Sequence, residues 1–169
     1  HYARSKYAGE LFVSKYANKG IVCRAGWMMG GGIKKDKKFV NKIIQQILSN
    51  KKLIHVVKDK LGTPTYTHDF VRNLDLILKN KYWGVYNLVC QDVTNRFEVA
   101  SEIVNLLNLE KKIKISKVNS SYFKNEYFVK RPASERLINS KLQLRNIDIM
   151  RDWKSCLKEY LQKDYSKIL

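Results

Sequence analysis

The chain has 169 residues, with 33 Lys and Arg against 15 Asp and Glu, a formal charge of +18 and a 44% hydrophobic share. That length fits one domain, and the apolar content is too high for a disordered tail. No stretch approaches the roughly 20 apolar residues that cross a bilayer, and the opening HYARSKYAGE has neither the apolar core nor the cleavage site of a secretory signal. A cytoplasmic protein with no membrane partner is therefore expected.

Taken in order, helices and strands alternate, which points to an α/β fold rather than a bundle or a sandwich. Residues 2 to 17 read as a helix, with Tyr7, Leu11 and Val13 near a 3.6 period and Gly20 as a stop. Ile21, Val22 and Cys23 form a short apolar run of the kind buried in a parallel sheet, broken by Gly26 and by a loop at Gly30 to Gly32. Asp36 is placed to cap the next helix, whose apolar positions are Phe39, Val40, Ile43, Ile44, Ile47 and Leu48. Leu53 to Val57 predicts a strand, and the turn-rich DKLGTPTYTHD leads into a helix from Thr67 or His68 through Leu78. His68 and Asp69 are read as a capping pair.

A strand at 84 to 90 follows, then a helix capped by Thr94 that carries Phe97, Ala100, Ile103, Val104 and Leu107. KIKISKV alternates strictly, the pattern of a half-exposed strand. The last helix starts near Asp148 and runs to about Tyr165, with Trp153, Leu157, Tyr160 and Leu161 on one stripe. No repeat or low-complexity segment interrupts this order.

Cys23, Cys90 and Cys156 are odd in number and far apart, without metal-ligand spacing, and read as reduced core cysteines. His1, His55 and His68 form no metal pattern, so no metal site is expected. The positive charge has two dense clusters, Lys34, Lys35, Lys37 and Lys38, then Lys111, Lys112, Lys114 and Lys117. Neither is interleaved with stacking aromatics, and no zinc-finger or basic-zipper spacing occurs, so nucleic acid is the lesser expectation and solvated faces the greater.

Tyr2 and Lys6 stand four apart and share one helix face. A free phenol is a poor acid at neutral pH, but a nearby ammonium favours phenolate and makes Tyr a usable proton donor to a carbonyl being reduced. The spacing alone is frequent by chance. Its context is more specific. YARSKYAGE resembles the active-site helix of the extended short-chain dehydrogenase/reductases. CRAGWMMG resembles the strand and loop that follow it in the dTDP-4-dehydrorhamnose reductase branch of that family. DKLGTPTYTHDFV resembles its D-x-x-G-x-P-T turn at Asp59, Gly62, Pro64 and Thr65. KRPASERLINSKL resembles its Arg-Pro segment at Arg131 and Pro132, and DWKSCLKEYL its terminal helix.

The resemblance implies the C-terminal half of such a reductase: part of a Rossmann-type parallel sheet with flanking helices plus a small α/β substrate-binding subdomain, forming one unit over 1–169. It implies NADPH or NADH as cofactor and a nucleotide-linked 4-keto-6-deoxy sugar as substrate. Tyr2 would protonate the sugar oxygen and Lys6 would tune it and bond the nicotinamide ribose, with Gly26 beside the cofactor. Trp27, Met28, Lys38 and Arg131 would face the substrate, Arg131 through phosphate oxygens. The family's GxxGxxG loop and third catalytic hydroxyl lie upstream of the Tyr and are absent here, and Gly26 and Gly30 to Gly32 lack that spacing. The chain alone is therefore expected to be inactive. Lys38 before Phe39, and Ser134 and Glu135 after the Arg-Pro segment, depart from the commoner family residues and leave the sugar open. A non-catalytic regulatory relative and a basic nucleic-acid module are the alternatives, and an exposed sheet edge would favour a homodimer.

Overall fold

The computed structural model describes residues 1–126 and 131–166. Lys130, which opens the Arg-Pro segment, lies outside them. The first helix, α1, spans Tyr2–Tyr16, as its periodicity predicts, and leads through Gly20 into β1 at Ile21–Ala25. After Gly26 come β2 at Trp27–Met29, the single turn α2 at Gly32–Lys35, and α3 at Phe39–Leu48. Then follow β3 at Leu53–Val57, β4 at Leu61–Gly62, β5 at Pro64–Tyr66, and α4 at Thr67–Lys79. The second half contains β6 at Gly84–Leu88, β7 at Thr94–Asn95, α5 at Arg96–Leu106, β8 at Lys114–Val118, and a 3-10 turn at Ser120–Phe123. It closes with β9 at Ser134–Glu135, α6 at Ser140–Leu144, and α7 at Trp153–Asp164.

The strand pairs are largely parallel. β1 pairs with β6, β2 with β5, and β3 with β8, while β4 lies between antiparallel β7 and parallel β9. Each parallel partner lies far along the chain, so the connections carry the helices that cover the sheet, the α/β arrangement expected from the alternating pattern. One core packs α3, α5 and α7 around β3, through Ile43, Ile44, Ile54, Ile103, Leu157 and their neighbours. Burying each such aliphatic side chain contributes about 1.5–3 kcal/mol. A second, smaller core joins Ile77 of α4, Tyr86 and Leu88 of β6, and Leu142 of α6. Cys90 and Cys156 are buried, Cys23 is half-buried, and all three are free thiols.

The caps differ from the sequence reading. Asp36 does not cap α3; the cap position falls on Lys38, whose amide donates to Asp36 Oδ1 at 2.7 Å. Asp36 is instead buried beneath α7, where Tyr160 Oη donates to its Oδ2 at 2.8 Å. His68 and Asp69 do not cap α4: His68 stacks on Tyr66, and Asp69 is buried against Arg151. Asn95, one residue past the expected Thr94, caps α5 in a reciprocal box with Glu98, and Thr94 Oγ1 donates to the same Glu98 carboxylate at 2.7 Å. The final helix starts at Trp153, capped by Asp152, later than Asp148.

Four helices stop in the same way. After α3, α4, α5 and α6 the chain enters left-handed backbone at Asn50, Lys81, Asn108 and Asn146. The next amide then reaches back to the helix, as Tyr82 N–H does to the Ile77 carbonyl at 3.0 Å and Leu109 N–H to that of Val104 at 3.0 Å.

Two features mark a side of the fold left uncovered. α1 buries none of its residues, and Tyr2, Tyr7, Leu11, Phe12 and Tyr16 are all exposed. Among the described residues β1 has a strand partner on one edge only, and its apolar side chains are half-buried. No helix among them is long and apolar enough to cross a membrane.

Candidate functional site

The first turn of α1 carries the Tyr-x-x-x-Lys pair. Helical spacing stacks residue i+4 over residue i, and Lys6 Nζ lies 5.9 Å from the centre of the Tyr2 ring. Tyr2 is 73% exposed, so its hydroxyl is free to meet a molecule from outside this chain. The helix is tied to β1 by Glu10, whose carboxylate accepts from Arg24 Nε at 2.9 Å. That pair links α1 to the strand.

The second cluster is built around Trp27 on β2. Its amide donates to the Thr63 carbonyl at 2.9 Å, and its indole Nε1–H donates to Glu135 Oε2 of β9 at 2.7 Å. The ring lies against Gly62, where an added Cβ would stand 2.3 Å from Trp27 Cζ2. Only glycine fits this site. The guanidinium of Arg96, first residue of α5, lies over the indole with Cζ 4.1 Å from the ring centre and 4.7 Å from that of Phe39. Burial pushes the Arg96 guanidinium down to about 10; the Glu135 carboxylate works against this and the Arg131 charge reinforces it. At neutral pH Arg96 stays charged.

The predicted residues therefore divide. Trp27 and Arg131 lie in or beside the Arg96 cluster, and Lys38 is the chain neighbour of Phe39 within it. Lys60 Nζ donates to the Arg131 carbonyl at 3.1 Å. Met28 is exposed on β2. Tyr2 and Lys6 form their own pair on α1, with no hydrogen bond or ring contact to the Trp27 cluster among the described residues. Two surface hollows, of about 280 Å³ beside Val13, Val22 and Trp83 and about 520 Å³ beside Phe97, Glu98 and Trp153, involve none of the predicted site residues.

Gly26 has a packing reason of its own. A Cβ there would lie 1.9 Å from the Thr63 carbonyl oxygen, and its amide donates to Thr65 Oγ1 at 2.8 Å. The triplet Gly30, Gly31 and Gly32 has positive φ throughout but does not fit a pyrophosphate. It opens onto a helix of only four residues, and the Asp164 carboxylate faces Gly32, 2.9 Å from where its Cβ would stand. The described residues thus hold no cradle for the phosphates of a dinucleotide. No group of His, Cys, Asp and Glu among them could hold a metal ion.

Arg96 and Lys60 escaped the sequence reading, and Phe39 and Glu135 entered it only as a helix core position and a departure from the family pattern. Nothing in their local spacing joins them. Only the D-x-x-G-x-P-T turn hinted at the arrangement, because Gly62 in it is the floor under Trp27.

Parallel strands joined through helices, with a Tyr-x-x-x-Lys helix beside β1 and a tryptophan–arginine cluster at β2, define an α/β chain with the fold of part of a short-chain dehydrogenase/reductase. The chain belongs to the RmlD substrate binding domain family, whose pattern matches residues 1–166. It is 26% identical over 163 residues to the spore coat polysaccharide biosynthesis protein SpsK of Bacillus subtilis (strain 168), covering 96% of this chain and 54% of that protein. Among solved structures, the dTDP-4-dehydrorhamnose reductase of Yersinia enterocolitica superposes with a TM-score of 0.85 at 33% identity, over 95% of this chain and 55% of the other. That of Bacillus anthracis str. Ames, solved in complex with NADP, gives 0.83 at 27% identity, over 95% and 54%. The chain spans about half the length of the relatives it matches.

Proposed function

We propose that this chain is the substrate-binding part of a nicotinamide-dependent reductase of a nucleotide-linked 4-keto-6-deoxy sugar, in the supply of dTDP-rhamnose or a related surface sugar. The observation that carries the reading is the Lys6 ammonium lying over the face of Tyr2 on the first turn of α1. Tyr2 would donate a proton to the ketone oxygen, and Lys6 would hold that phenol and the ribose in place. The cofactor, when bound, supplies the hydride. Trp27, Met28 and Lys38 would line the sugar side and Arg131 the diphosphate side, with Gly26 near the cofactor.

The reading is supported by family membership and by relatives named as reductases. The open side of α1 and the free edge of β1 suit a nucleotide-binding half that would complete the sheet, and would bring the dinucleotide phosphates a cradle these residues lack. The chain alone would then turn nothing over, and a nicotinamide-dependent reaction of this kind would suit the cytoplasm.

The experiment is a spectrophotometric assay of NADPH and NADH oxidation with dTDP-4-keto-6-deoxyglucose. It compares the 169-residue chain with a protein that joins it to a GxxGxxG-containing half from one of the relatives. Turnover by the joined protein that disappears with Tyr2→Phe supports the reading. A joined, folded protein that reduces no nucleotide-linked keto sugar refutes it.

A further inference from the structure

Arg96 presents an unusual combination. Its guanidinium is half-buried over the Trp27 and Phe39 rings, and its N–H groups, which still reach solvent, have neither a hydrogen-bond acceptor nor an ion-pair partner among the described residues. The arginines in ion pairs have their carboxylates, while the exposed Arg145 lies over the Tyr82 ring without one. Arg24 has Glu10, and Arg151 has Asp69 and Glu159. A guanidinium carries five donors in a flat fork, and here that fork is open to an acceptor from outside the chain. The rings engage its face through the π-system but accept nothing from its N–H edge.

The charges around that edge select what would fill it. Arg131 is close enough to depress the Arg96 guanidinium further, and Lys60 is held against the Arg131 backbone. The carboxylate within reach, Glu135, already accepts the Trp27 indole N–H at 2.7 Å. The local balance is therefore two cations, Arg96 and Arg131, against one carboxylate that is otherwise engaged. A planar fork beside further positive charge suits an anion with several oxygens in more than one group, and phosphates meet arginine in that bidentate manner.

We infer that Arg96 is a second anion-anchoring residue: laid flat on Trp27 and Phe39, it offers its N–H edge to the diphosphate of the bound nucleotide while Arg131 takes the other phosphate. This deepens the nucleotide-sugar reading above and rests on it. Because the same guanidinium covers Trp27, diphosphate and sugar contacts become linked: an anion that fixes Arg96 also fixes the indole.

The test is calorimetric titration of the chain with inorganic pyrophosphate and with thymidine diphosphate at physiological salt, with tryptophan emission followed in parallel. The wild-type chain is expected to bind both. Arg96→Leu should weaken both by about tenfold or more, with the melting temperature retained. Arg96→Lys, which keeps the charge but loses the fork, should fall between them and serves alone if the leucine variant does not fold. Equal affinities in wild type and folded variants, or no binding by the wild type, overturn the inference. The two readings fail separately. Arg96-dependent binding of pyrophosphate in a protein that reduces no keto sugar sinks the reductase reading and leaves this one standing. Sugar reduction by the joined protein with a KM that Arg96→Leu does not change does the reverse.

Discussion

Asp69 and Arg151, 82 residues apart, meet in a two-pronged pair, with Arg151 Nε 2.9 Å from Asp69 Oδ2 and Nη2 2.8 Å from Oδ1. Asp69 is fully buried. The Cys156 thiol and the Arg151 amide also donate to Oδ2, and Arg72 reaches Oδ1 at 3.3 Å. The other side of Arg151 holds Glu159 of α7, which also binds Lys163. One buried carboxylate thus ties α4 to the last helix.

Replacing Asp69 by Asn leaves the guanidinium of Arg151 without its buried partner. Breaking one side of a buried ion pair costs about 3–5 kcal/mol. Denaturant melts should show a loss of that order with the slope unchanged. A loss under about 1 kcal/mol would mean that Glu159 suffices to hold Arg151.

The same network sets an acid limit. Burial alone would raise the Asp69 carboxyl, but donors from Arg151 and Cys156 outweigh it and hold it below its ordinary value. Glu159 is pulled down to about 2, first by Lys163 and then by Arg151. Carboxylates depressed in the folded state stabilise it above their unfolded values and lose that contribution as pH falls. Melting temperature should therefore drop as pH is lowered from about 4.5 towards 2, and the drop should be shallower in Asp69→Asn. Equal slopes would assign the acid sensitivity elsewhere.

Tyr2→Phe removes one hydroxyl from a side chain that is 73% exposed. On the proposed reaction the joined protein should lose about 10²–10⁴-fold in kcat with its melting temperature unchanged. Unaltered kcat would take the proton donor away from α1.

Gly62→Ala drives a methyl into the indole, 2.3 Å from Trp27 Cζ2. The ring must tilt away, which stretches its 2.7 Å bond to Glu135 and lifts it from Arg96. Overpacking of this kind costs about 1–3 kcal/mol. Tryptophan emission should change in the folded variant; an unchanged spectrum would mean that the floor yields instead of the ring.

Much of the frame was legible because periodicity and burial agree in it. α3 presents Val40, Ile43, Ile44 and Ile47 to the core as its spacing requires, and β3 lies at Leu53–Val57 as its apolar run predicts. The caps were misread where a polar side chain had a distant partner. Asp36 left its helix for Tyr160, and Asp69 left α4 for Arg151, because a buried carboxylate takes the strongest donors available wherever they lie in sequence. The short strands β2, β4, β5, β7 and β9 carry too few residues to show a period. The Trp27 cluster was half legible for the same reason: its tryptophan stood in a recognisable segment, while its guanidinium came from a helix start that looked like ordinary surface.

The left-handed turn behind α4 holds one more lesson. Asn serves the equivalent turn after α3, α5 and α6, but Lys81 serves it after α4, with φ 55°. A lysine there endures a crowding that glycine would not, about 1–2 kcal/mol, partly returned because glycine leaves the unfolded chain freer. Lys81→Gly should therefore raise the melting temperature by about 1–3 °C. The protein holds unclaimed heat tolerance in the turn that ends α4, open to any engineer who wants a sturdier scaffold.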